Sequence, residues 1–353
     1  NNGVYDFKNN VFRNGYPDDY LTKSTNIDYI PYEKAIIKHK KDCEGVRNFI
    51  KQIYPVVELH DWMWKLFASL LIGGNKMQKF YIFIGSGSNG KSILMRLIEL
   101  MMGDYYGELD SSVLSQKERK MGQASPEIMA LRGLRVTVTN EIAKGAVMNE
   151  AIMKQLTGGT DKISGRALYK EKISFTPQFK PIICTNNLYE VRSNDTGTWR
   201  RIDKIDHLAY FTVNPVDTDP QKPYQYKKDY DLEEKYFDKW KLIFMSMLVD
   251  LASKTKGKVP ECGMVQASSD LYRNQQEHIA EFISEKIVLS NDDCIKKRDL
   301  QQEFDCWMLE NHGKKMSKKT ELYSEMDIKF GKYNKKWKNV KLIMDDDDDD
   351  DDD

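Results

Sequence analysis

The sequence predicts a mixed α/β protein: a phosphate-loop nucleotide-binding core, a helical region before it and a small domain of winged-helix-like pattern after it. Three observations predict this. Gly85, four residues, then Gly90-Lys91-Ser92 satisfy G-x-x-x-x-G-K-[ST] directly after an apolar run, Phe80 to Ile84. From Phe80 to about Phe211, β-rich and helical patterns alternate as a layered α/β domain requires. The length, 353 residues, allows two or three domains with separate cores.

Taken in order, residues 1 to 31 carry Gly3, Gly15 and Pro17 among Tyr and Phe, and read as short strands and turns. Between Val46 and Ile72, Phe49, Ile50, Leu59, Trp62, Met63, Leu66, Phe67 and Leu70 mark two helices, broken near Pro55 and stopped at Gly73-Gly74. The strand at Phe80 feeds the loop Gly85, Ser86, Gly87, Ser88, Asn89, Gly90, Lys91 and Ser92. Glycines let successive N–H groups turn toward phosphates, Lys91 reaches the β and γ oxygens of ATP, and Ser92 is placed to ligate Mg²⁺. Ile93, Leu94, Leu97, Ile98 and Met101 recur at helical spacing up to Gly103, so a helix N-terminus faces the anion.

Hydrolysis needs an acidic group near the γ-phosphate and a sensor of its loss. The β-rich run Arg135 to Thr139 ends on Asn140-Glu141, which puts Glu141 at the C-terminal end of a strand, where α/β sheets hold their ligands. Glu141 there orients the attacking water and helps hold Mg²⁺, while Asn140 stands where many such motifs carry an aspartate, leaving the metal to Ser92 and waters. Pro181 to Thr185 is a second buried-strand run, capped by Asn186-Asn187, and Asn186 is the sensor candidate; an Asn chosen only for its turn is the plainer alternative. Thr198-Trp199-Arg200-Arg201-Ile202 follows, with Arg200 and Arg201 badly placed for their own loop but available to a neighbour's as arginine fingers.

Ser164, Arg166, Leu168, Ile173 and Phe175 alternate as a hairpin does, with Tyr169-Lys170-Glu171-Lys172 at its tip. Asn214 to Lys228, with three prolines, reads as a surface loop, and Trp240, Ile243, Phe244, Met247 and Leu248 as the core stripe of an amphipathic helix. The last unit places Ile279, Phe282 and Ile283 on one helix, Leu300, Phe304 and Trp307 on a second, then a Lys-rich turn, Lys314 to Lys319, and a strand from Trp337 to Ile343. That turn is read as solvated before it is read as a nucleic-acid contact.

Composition is globular, 40% hydrophobic and 31% charged, without an apolar run near membrane-span length or a secretory signal. A soluble, intracellular chain without membrane contact is expected. Cys43, Cys184, Cys262, Cys294 and Cys306 are scattered and never C-x-x-C, which argues against a disulfide framework and a zinc site. Nine of the 54 acidic residues form the block Asp345 to Asp353, and the remainder of the chain holds 54 basic against 45 acidic side chains. A basic body suits a phosphate-rich partner. The block itself reads as a solvated tail or artefact, or else as a polyanion competing for the DNA site. The chain begins with Asn1, as a piece of a longer protein would.

The order GSGSNGKS, RVTVTNE, KQLTGGTDKISGRALYKEK, IICTN and WRRI resembles superfamily 3 helicases, in particular the primase-helicases of large DNA viruses, phages and plasmids, over roughly residues 45 to 210. The resemblance implies a AAA+ ATPase assembled as a hexameric ring on single-stranded and fork DNA, working with other replication proteins in host cytoplasm or a viral replication compartment. It implies that Lys91, Ser92, Glu141 and Asn186 form the site, that Arg201 fits the trans-acting finger better than Arg200, and that Lys170, Lys172 and Arg166 grip DNA from the hairpin. Family members often carry proline soon after the sensor Asn, where this chain has Tyr189. The domains expected are 1–75, an N-terminal linker and helical oligomerisation region; 76–212, the ATPase; 213–263, a loop and amphipathic helix; 264–344, winged-helix-like; and 345–353, the acidic tail. The function expected is an ATP-dependent DNA helicase module. Its rivals are a non-translocating AAA+ switch or packaging motor, and a P-loop nucleotide kinase, for which no acceptor pocket or arginine-bearing lid is evident.

Overall fold

The computed structural model describes residues 1–115, 125–167, 169–191, 195–216, 219–313 and 319–343. Leu168, most of the Lys314 to Lys319 run and the acidic block Asp345 to Asp353 lie outside the described residues.

The chain starts with an antiparallel pair, β1 (Val4–Asp6) and β2 (Val11–Arg13), then helices α1 (Tyr32–Lys38), α2 (Lys40–Ile53) and α3 (Val57–Leu70). Pro55 separates α2 from α3 because a residue before proline avoids helical angles, and Tyr54 has φ −120° and ψ 79°. Both helices turn their apolar positions inward: Val46, Phe49, Ile50 and Ile53 from α2, Leu59, Trp62, Met63, Leu66 and Phe67 from α3 are all buried.

The α/β core follows as β3 (Phe80–Ile84), α4 (Lys91–Met102), β4 (Tyr106–Glu108), α5 (Ser111–Ser115), α6 (Pro126–Ala130), β5 (Val136–Asn140), α7 (Glu150–Thr157), β6 (Ile163–Arg166), β7 (Lys172–Phe175), β8 (Lys180–Thr185), α8 (Thr196–Trp199) and β9 (Ile202–Asp206). Five strands form one sheet in the order β4-β5-β8-β3-β9, every neighbouring pair parallel. Parallel strands covered on both faces read as continuous apolar runs, and β8 is buried at all six positions. Because β5, β8 and β3 are adjacent, the segments that leave their C-terminal ends lie side by side. The central sheet is thus parallel in a mixed α/β chain.

Residues 214 to 228 do more than loop over the surface. β10 (Tyr210–Thr212) pairs in parallel with β11 (Gln225–Lys227), which the prolines between them obscured. A π-helical turn at Glu233–Phe237 leads into α9 (Asp238–Thr255). The expected single stripe of α9 is too narrow, since Met245 and Val249 are buried along with Trp240, Ile243, Phe244, Met247 and Leu248; α1, α2, α3 and α4 all pack on this helix.

A second compact unit comprises residues 143–148, 187–195 and the chain from Asp270 on. It contains the later turns of α10 (Gly263–Lys286), then β12 (Ile287–Ile295), α11 (Lys297–His312), α12 (Thr320–Phe330) and β13 (Trp337–Leu342), with β12 and β13 antiparallel around a bulge between Leu289 and Cys294. Its core holds the predicted Ile279, Phe282, Ile283, Leu300, Phe304 and Trp307. Two elements escaped the sequence reading: β12, whose middle is Ser290-Asn291-Asp292-Asp293, and α12, which buries only Leu322 and Met326. Among the described residues no helix is long and apolar enough to cross a membrane.

Candidate nucleotide-binding site

The phosphate loop is a backbone built around left-handed residues: Gly87, Ser88 and Gly90 have φ of 95°, 50° and 82°. A Cβ on Gly85 would fall 2.1 Å from Asn89 Nδ2, so only glycine admits the close approach of that amide. The loop is tied down from the chain that leaves β9, where His207 N donates to Ile84 O (2.8 Å) and Phe211 N to Ser88 O (2.6 Å). Beneath it His207 Nε2 meets Tyr54 Oη at 2.9 Å; full burial, with the Lys91 ammonium nearby, holds the imidazole pKa down to about 3, so this ring is neutral at physiological pH. Gly90 has no side chain to cap α4; the Lys91 N–H donates to Asn89 Oδ1 at 3.4 Å, and the helix N-terminus favours an anion.

Lys91 is 6% exposed, and its Nζ donates to Gly85 O (2.9 Å) and to Asn186 Oδ1 (3.2 Å). Burial lowers its pKa from the ordinary value. The loop after β3 and the residue after β8 therefore meet through one ammonium. Glu141, after β5, donates its N–H to Cys184 O (3.0 Å) and has φ 45°. Glu141, Asn140, Asn186, Ser92 and Lys91 line one cavity of about 1280 Å³. Among the described residues no three His, Cys, Asp or Glu side chains gather as a metal site. One hydroxyl and one carboxylate beside a phosphate loop suit Mg²⁺, which keeps several waters and leans on phosphate oxygens.

Arg200 and Arg201 are not brought to this cavity. β9 pairs in register with β3, Ile202 opposite Phe80, so both arginines precede the N-terminal ends of the strands, about 16 Å along the sheet from the phosphate loop. Arg200 Nη2 donates to Gln78 Oε1 at 2.6 Å and Arg201 Nη2 to the same oxygen at 3.1 Å, while Arg201 Nη1 donates to Gly197 O.

β6 and β7 form the predicted hairpin, with Arg166 directly opposite Lys172. Lys172 thus stands on the strand, and the tip is Tyr169 and Lys170, with Tyr169 fully exposed at φ 58°. The hairpin is held next to its tip by Ser125, whose N donates to Arg166 O (2.8 Å) and whose Oγ accepts from Arg166 N (3.2 Å). Lys319, the described end of the Lys-rich run, pairs with Asp305 inside the second unit.

Part of the cavity lining was missed in the sequence: Asn48, Phe49 and Gln52 from α2, Phe211, Tyr230, Tyr236 and Trp240. Aromatics at helical spacing read as core, and part of this lining is core; nothing in the sequence marked the π-helical turn that carries Tyr236.

Comparison with known proteins adds relatives. Residues 83–201 match a family of unknown function, and residues 1–55 match the family described as D5 N terminal like. A protein of Acanthamoeba polyphaga mimivirus named as a candidate helicase is 33% identical over 342 residues, 95% of this chain and 35% of its own. A protein of Invertebrate iridescent virus 6 with the same kind of name is 29% identical over 338 residues, 89% of this chain and 34% of its own. One from African swine fever virus, named as a candidate primase, is 25% identical over 286 residues, 78% of this chain and 29% of its own. The chain spans about a third of the length of these curated relatives.

Proposed function

The chain is of the superfamily 3 primase-helicase type, related to proteins of large DNA viruses that bear helicase and primase names, and from that premise we propose that it is an ATP-driven DNA helicase module that translocates on single strands as a ring. The observation that carries the proposal is the hydrogen-bonded junction of Lys91 with Gly85 and Asn186, in one cavity with Ser92 and Glu141. Three segments far apart in sequence leave adjacent strands there with the groups that hydrolysis of a phosphoanhydride needs.

In this reading residues 76–212 are a AAA+ core, and the order of helices and β12–β13 ribbon in the second unit supports a winged-helix-like fold. ATP lays its phosphates along the loop amides and the start of α4. Lys91 leaves its two acceptors for the β and γ oxygens, which neutralises charge as it develops. Glu141 orients the attacking water and draws on its proton, and Asn186, released by Lys91, bridges that water to the γ-phosphate. Ser92 and Glu141 would hold Mg²⁺, which would supply further charge neutralisation. Arg201, on the opposite edge of the sheet, serves the site of a neighbouring copy, with Arg200 beside it.

The hairpin supports the DNA half. Arg166 and Lys172 are cross-strand neighbours with Lys170 at the tip, so the hairpin carries basic side chains suited to a polyanion. The reading places the work in the infected cell, at the viral replication compartment or in the cytoplasm. The test is ATP turnover with and without single-stranded DNA. Turnover raised severalfold by the strand is expected, and ATP turnover indifferent to DNA would move the chain to the class of nucleotide switches or kinases.

A further inference from the structure

The cavity is larger than phosphates need. Its volume, about 1280 Å³, exceeds the usual span of about 300 to 1,000 Å³ for small-molecule pockets, and part of its lining is aromatic. Resting on the nucleotide reading above, we propose that this aromatic lining is a nucleobase subsite in which the ring of Tyr236 stacks on the base of a purine nucleoside triphosphate.

Four observations converge on Tyr236. Its ring is stacked on Trp240, with centroids 5.0 Å apart and planes at 18°, and it remains 39% exposed along a wall of the cavity while Trp240 is 5% exposed. A ring backed by a buried indole is a stiff platform, held flat before any ligand arrives. The indole is seated by a glycine: a Cβ on Gly45, in the middle of α2, would come within 2.7 Å of Trp240 Cζ2. Glycine inside a helix costs about 1 kcal/mol against alanine, so α2 gives up helix stability to admit that ring. Phe49, also on α2, packs on Trp240 with centroids 5.7 Å apart.

Tyr236 itself lies in the π-helical turn Glu233–Phe237, a local irregularity of a kind frequent at functional sites. That turn is pinned to the helix that starts at the phosphate loop, because Arg96 on α4 donates from Nε to Glu233 Oε1 at 2.7 Å and from Nη1 to Glu99 Oε2 at 3.0 Å. Phosphate loop and aromatic lining therefore share a frame. The amides of Asn48 and Gln52 line the same cavity and offer the donor and acceptor that a base edge requires.

The experiment compares ATP with inorganic tripolyphosphate, which has the phosphates and lacks the base, on the full chain and its Tyr236→Ala and Tyr236→Phe variants. Base–aromatic stacking supports a fall in ATP affinity of about tenfold in Tyr236→Ala, unchanged tripolyphosphate affinity, and recovery of ATP affinity in Tyr236→Phe. ATP affinity unchanged in Tyr236→Ala overturns the subsite. Equal losses for ATP and tripolyphosphate also overturn it, because Tyr236 then only supports the loop. A parent chain that binds neither compound refutes the nucleotide reading itself, which separates the two failures.

Discussion

Glu141 occupies a left-handed backbone position, φ 45°, that a residue with a Cβ takes at a cost of about 1–3 kcal/mol. Such strain persists where position matters, and here it sets a carboxylate in the cavity beside the loop that holds Lys91. Changing Glu141→Gln should lower ATP hydrolysis by at least about 100-fold, since a neutral amide draws poorly on the proton of water, while nucleotide affinity stays near the parent value. Turnover at the parent rate would contradict the role. Lys180, invisible to motif reading, plays a structural part: it is 7% exposed and donates to Ser69 O, Ile72 O and Gly74 O, the carbonyls at and beyond the end of α3. Burial, with Arg135 nearby, lowers its pKa from 10.5 to about 8. Between those values the unfolded chain binds more protons than the folded one, so stability rises with pH, by up to about 3 kcal/mol. Urea unfolding of the parent and Lys180→Met at pH 7 and pH 10 should show the gap between them widening at the higher pH; a constant gap would contradict the shift. Sequence spacing singled out Lys91 and Glu141 because a phosphate loop and a carboxylate just after a buried strand form recognisable patterns, and both residues line the same cavity. It missed Lys180 and Tyr236 because a lysine in a strand and an aromatic in a helix have no distinguishing spacing.

At the scale of elements, β3, β5 and β8 matched their apolar runs within one residue, since buried parallel strands tolerate little else. Short or polar elements hid: β4 has three residues, and the centre of β12 is polar. The hairpin was read from alternation, yet its register was needed to set Arg166 against Lys172. Replacing Lys170 and Lys172 with Ala should flatten the salt dependence of single-strand binding, each phosphate contact contributing a slope of about −0.7 in log affinity against log salt. Affinity should fall alike for different sequences, because phosphate contacts carry no base information. Basal ATP turnover should survive, since neither lysine lines the nucleotide cavity. An unchanged slope in a binding titration across salt would remove the hairpin from the DNA contact.

In the whole molecule the candidate nucleotide cavity lies on the C-terminal edge of a parallel sheet that also carries two arginines on its opposite edge, and the chain includes a basic hairpin. In the ring proposed above each copy would present its arginines to the next, the role for which Arg200 and Arg201 were singled out in the sequence. The chain covers about a third of the length of its viral relatives. The direct measurement of the helicase proposal is displacement of a labelled strand from a forked DNA duplex by the parent chain and by Lys91→Ala, with and without ATP. Displacement only by the parent and only with ATP is expected. Displacement by Lys91→Ala at the parent rate, or none by a parent chain that hydrolyses ATP and binds the fork, would contradict it.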